Sequence, residues 1–85
     1  MELMFNVKDQ NLVEIMDFDV FINGVEVTLK DDKKTTQDSY QYGSKLTYIV
    51  KKRGYVVSDE IEHTVLDTQP NEIMTVLDRQ EKVRQ

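Results

Sequence analysis

Two apolar runs separated by Asn23-Gly24 constrain this chain more than any other feature. Phe18, Val20 and Ile22 alternate with Asp17, Asp19 and Phe21; after the dipeptide, Val25, Val27 and Leu29 alternate with Glu26, Thr28 and Lys30. Apolar side chains at every second position turn one face of an extended chain toward a core and the other toward water. That is the pattern of a half-buried strand, not of a helix. Asn-Gly between two such runs is a strong hairpin signal, because a type I′ turn needs positive φ at both central residues. The sequence therefore predicts a β-hairpin at this point.

The same period extends in both directions. Leu3, Phe5 and Val7 predict a first strand, while Asn11 to Met16 fits neither period. Asp31-Asp32-Lys33-Lys34 is a polar turn, and Thr35 to Tyr42 reads as a weaker strand with Tyr40 and Tyr42 on one face. A turn follows at Tyr42 to Lys45, with Gly43 at positive φ. Leu46, Tyr48 and Val50 form another alternating strand, ended by Lys51-Lys52-Arg53-Gly54. Tyr55 to Val57 and Ile61 to Leu66 read as one long strand broken near Ser58-Asp59 by a bulge. After Gln69-Pro70-Asn71, two readings of the last element stay open. Pro70 suits a first helical turn, and Ile73, Val76 and Leu77 share a helical face. The weight falls on a strand, since Ile73, Met74, Val76 and Leu77 lack polar spacing and the tail beyond Asp78 is solvated in character.

A chain of 85 residues makes one domain, burying roughly 60–65% of the surface its unfolded form exposes. The expected fold is all-β: a small Ig-like or prealbumin-like antiparallel sandwich of about seven strands. It spans residues 1–78, and 79–85 is a polar tail expected to be disordered. With no cysteine, stability must come from packing. No apolar run approaches the ~18 residues of a membrane span, so no membrane insertion is expected. The opening MELMFNVKDQ holds Glu2 and no basic stretch, unlike a secretory signal.

Val20-Phe21-Ile22-Asn23-Gly24-Val25 resembles the hairpin near the start of carboxypeptidase regulatory-like (prealbumin-like) domains and their relatives, the PEGA domains. The run from Tyr42-Gly43-Ser44-Lys45 through Leu46-Thr47-Tyr48-Ile49-Val50 to Arg53-Gly54-Tyr55 is similar to their later signature. There a glycine turn leads into an alternating strand that ends in a basic residue followed by Gly-Tyr. Ile73 to Leu77 resembles their closing strand, although the Pro-Glu-Gly-Ala tetrapeptide is absent. The resemblance implies a non-catalytic β-sandwich: an accessory module of a cell surface, or a structural component of a phage or other virion. It brings no catalytic residues and no cofactor.

The residues themselves point the same way. His63 is the only histidine, and with no cysteine a zinc site would need an uncommon set of carboxylates; an edge or partly buried position is expected. Ser39, Ser44 and Ser58 lack the strand-turn-helix setting of a hydrolytic nucleophile. Asp17 and Asp19 share a strand face near Asn23-Gly24, but Phe21 occupies the next alternate position, where a calcium loop needs oxygen. No catalytic residue, metal or cofactor is therefore expected.

Two surfaces are candidates for binding. Tyr40, Tyr42 and Tyr48, set about a glycine turn, would form an aromatic platform for carbohydrate or peptide. Lys33, Lys34, Lys51, Lys52 and Arg53 come from two turns that successive antiparallel strands place at one end of the molecule. The net charge of −5 disfavours nucleic acid, yet residues 30–53 hold seven bases against three acids between acidic flanks. Asp67 and Glu72 are expected at the opposite end, near Asp17. A basic end would orient the domain against an acidic protein partner or the next copy of itself, and bare strand edges offer a second means of protein contact or self-association.

Overall fold

The computed structural model describes residues 1–57, 59–67 and 71–80, and among these there are six strands and no helix. They are β1 (Leu3–Asp9), β2 (Asp19–Ile22), β3 (Val25–Glu26), β4 (Lys45–Lys51), β5 (Ile61–Thr64) and β6 (Asn71–Leu77). The ambiguity at the last element resolves as a strand. No helix among the described residues is long and apolar enough to cross a membrane.

Four strands form an antiparallel sheet in the order β3-β2-β4-β5, while β1 and β6 pair parallel. The parallel pair departs from the wholly antiparallel expectation. Parallel neighbours need a long crossover, and these are the first and last strands, with the whole sheet between them as the connection. Leu3 lies opposite Asn71, and Asp9 opposite Leu77.

Sequence alternation becomes alternation of burial. Leu3, Phe5 and Val7 of β1 with Ile73 and Leu77 of β6 meet Val20, Ile22, Leu46, Tyr48 and Val50 of the larger sheet in one core. The Phe5 ring stands edge-on to Tyr48, with centroids 5.4 Å apart and planes at 67°, a favoured aromatic geometry. Isolated bridges Met4–Thr35 and Leu29–Thr36 carry backbone pairing from β1 toward the hairpin.

Those bridges are what remains of the strand expected over 35–42, so six strands stand where about seven were expected. Thr36 is fully buried. Its N–H donates to the Leu3 carbonyl, and its hydroxyl accepts from Leu3 N–H at 3.0 Å while donating to the Asp38 carbonyl at 2.9 Å. Beyond it, Gln37-Asp38-Ser39 offers no apolar face to hold the chain on a sheet. The long strand expected from Tyr55 to Leu66 also shortens to β5, with Tyr55 bridged instead to Arg79; Ser58, the site of the expected bulge, lies outside the described residues. Arg79 and Gln80, read from the sequence as tail, are tied down: Arg79 N–H donates to Gln10 Oε1 and Gln80 N–H to the Gly54 carbonyl. The rest of the tail, 81–85, lies outside the described residues.

The hairpin turn has the expected conformation, with φ of 52° at Asn23 and 81° at Gly24. A Cβ on Gly24 would meet nothing within 4 Å, so any cost of a side chain there is conformational. Gly24→Val should lower stability by about 1–2 kcal/mol, read as a lower urea midpoint; an unchanged midpoint would show that the turn does not set this register.

Candidate functional site

Three of the five bases of the expected basic end have separate engagements. Lys34 pairs with Glu14 at 2.6 Å, which holds the Glu14 carboxyl below its ordinary range. Lys51 stands opposite Asp19 in the ladder, with Nζ 4.5 Å from the centroid of the Phe21 ring. Lys52 Nζ donates to the Asp17 carbonyl at 3.2 Å, and Lys33 shares a shallow depression with Asp17 and Asp19. Arg53 is exposed in the turn before Gly54.

Asp17 is thus at the basic end, contrary to its expected place near Asp67 and Glu72. It lies two residues before the start of β2, and the start of a hairpin's first strand lies opposite its turn, beside the end of β4. In the next turn, Asp32 accepts from the Lys34 and Thr35 N–H groups and from the Thr35 hydroxyl. The Thr35 hydroxyl first, then the two amides, pull its carboxyl down to about 2. Acids and bases are interleaved here, and the end does not form a uniform positive patch.

The three tyrosines do not share a face. Tyr48 is buried in the core, alternating in step with Leu46 and Val50 as their apolar period required. Tyr40 packs partly against the core; burial raises its hydroxyl pKa, and Asp38 adds to the shift. Tyr42 alone is well exposed. The aromatic platform is therefore not assembled, because the strand that would have aligned Tyr40 with Tyr42 is absent. His63, opposite Leu46, has its Nε2 buried with no hydrogen-bond partner among the described residues. Among the described residues no three His, Cys, Asp or Glu side chains are gathered as a metal would need.

The surface that sequence reasoning missed is the outer edge of β6. Among the described residues this strand has one strand neighbour, β1. On the other side, its continuation is held: Val56 N–H donates to the Asp78 carbonyl at 2.8 Å, and Gln80 N–H to the Gly54 carbonyl at 2.9 Å. By Ile61 the chain has entered β5 of the larger sheet. Among the described residues nothing pairs with the outer edge from Glu72 to Val76.

An open groove of about 370 Å³ lies beside β6. Val56, Val57, Ile61, Met74 and Val76 give it an apolar lining, and its charged lining residues are Asp59 and Asp78. Each of those five apolar residues exposes between 40% and 59% of its surface. Thr75 also lines the groove, and its buried hydroxyl has no hydrogen-bond partner among the described residues. The signal was present in the sequence. Met74 and Val76 occupy the outward positions of β6, where a half-buried strand normally carries polar residues. The missing polar spacing marks an outer face that is itself apolar.

Compared with known proteins, the sequence matches no family model, and no curated protein resembles it at a significant level.

Proposed function

We propose that this domain is a non-catalytic interaction module that binds an extended segment of another protein along the outer edge of β6. The observation that carries this reading is the edge from Glu72 to Val76, unpaired among the described residues and lying beside an apolar groove. A strand edge presents a row of N–H and C=O groups that template pairing with another chain. Strand addition draws affinity from those backbone bonds and specificity from pockets for alternate side chains.

The edges of the larger sheet suit this role less well. β3 has two residues, one of them Glu26, and β5 carries Glu62 at its centre; short length and charge are the ordinary means of blunting an edge. The pairing of 54–56 with 78–80 runs along the continuation of β6 in the antiparallel sense. An incoming strand continues that ladder along β6 itself. As a small β-sandwich of the Ig-like or prealbumin-like kind, the domain would serve as an accessory module of a surface or virion assembly, in keeping with the family resemblance.

The test is titration calorimetry with short blocked peptides that alternate Val with Thr, Lys or Glu. Wild-type protein should bind at least one series saturably. Met74→Lys combined with Val76→Lys should weaken that binding tenfold or more while leaving the melting temperature nearly unchanged, since both side chains are exposed. If no series binds, or if the double variant binds as well as wild type, the edge is not the site.

A further inference from the structure

We infer that the segment taken up by the β6 groove is basic, an extended run in which Lys or Arg alternates with Val or Ile. This rests on the reading of β6 as a binding edge and names the chemistry of its partner. The two charged residues lining the groove are both acids, Asp59 and Asp78. Glu60 and Glu62 follow Asp59 on the same segment, and both are exposed. Among the described residues none of these four carboxylates has an ion-pair partner; the two recorded pairs use Glu2 and Glu14. Arg79, next in the chain to Asp78, lies over the Tyr55 ring, 6.0 Å from its centroid. An apolar groove bordered by carboxylates favours apolar residues on one face of the entering strand and cations on its flanks.

The same charges argue against a second copy of this chain as the occupant. Two β6 edges pairing antiparallel, with Met74 opposite Val76 of the other copy, bring Glu72 opposite Asp78. Like charges directly opposite on neighbouring strands are destabilising, and a parallel in-register pairing stacks every acid on itself. In both of these registers a self-paired β6 would bury its apolar residues by bringing like charges together. A strand bearing Lys or Arg at those positions converts the same contacts into attraction.

The test uses the Val/Lys, Val/Thr and Val/Glu peptides on wild type and on Asp59→Asn with Asp78→Asn. The Val/Lys peptide should bind at least tenfold more tightly than Val/Thr, and Val/Glu should bind most weakly. That advantage should shrink between about 0.05 M and about 0.5 M salt, as screening shortens the reach of exposed charges. In the double Asn variant the Val/Lys advantage should fall severalfold while Val/Thr binding stays as it was. If Val/Thr or Val/Glu binds as tightly as Val/Lys, the basic partner is wrong and the edge reading stands. If none binds, both fail. A concentration-dependent dimer in sedimentation, lost in Met74→Lys, would make a second copy the occupant and overturn the inference.

Discussion

Phe5→Ala should remove about 3–5 kcal/mol of stability, the usual cost of deleting a fully buried aromatic ring. Phe5 is 0% exposed, and its edge-on contact with Tyr48 joins β1 of the parallel pair to β4 of the four-stranded sheet. The ring therefore holds the two layers together and does more than fill space within one of them. A domain of this size has on the order of 5–10 kcal/mol in total, so the variant should sit close to unfolding at room temperature. Urea denaturation would show it, with Phe5→Leu expected to lose less because part of the volume is kept. A loss under about 1 kcal/mol for Phe5→Ala would mean that the layers do not pack through this ring.

Asn71→Leu should be nearly as damaging, for a polar reason. Asn71 is 1% exposed at the start of β6. Its Oδ1 accepts from Leu66 N–H and its Nδ2 donates to the Leu66 carbonyl, both at 2.8 Å. One amide thus satisfies both backbone groups of the residue at which the chain leaves the larger sheet for the parallel pair. Leucine nearly matches its shape but bonds neither group, and each partly buried group left without a partner costs about 1–3 kcal/mol. The expected loss is about 2–4 kcal/mol. Asn71→Asp should lie between, since its carboxylate keeps the bond from Leu66 N–H but faces the Leu66 carbonyl with no hydrogen to donate. Urea midpoints for the two variants check the order, and equal stability in all three proteins would refute it.

What the sequence made legible was facing rather than partnership. The period of Leu46, Tyr48 and Val50, and that of Leu3, Phe5 and Val7, located core faces that the structure confirms, and Asn23-Gly24 located a turn. Partners are set by contacts distant in sequence, which local alternation does not encode, and so the parallel pairing of β1 with β6 was not legible. The stretch 35–42 misled because Thr, Gln, Ser and Tyr are tolerated in strands; a buried Thr36 hydroxyl ties the chain to β1 instead. The tyrosine platform fell with that strand, and Tyr48 had already been placed inward by its own period. The candidate site was half-legible. Unspaced apolar residues at 73–77 were visible, but only the structure shows that Met74 and Val76 face a groove shared with Val56, Val57 and Ile61.

The most direct test of the β6 edge as a binding surface is amide hydrogen exchange, followed residue by residue by NMR with and without the Val/Lys peptide. Between Glu72 and Val76, the amides that point away from β1 should exchange rapidly in the free protein and become protected when peptide is bound. The β3 and β5 edges should not change. Protection that appears along β3 or β5, or a saturated complex that leaves those β6 amides exchanging as before, would contradict the assignment.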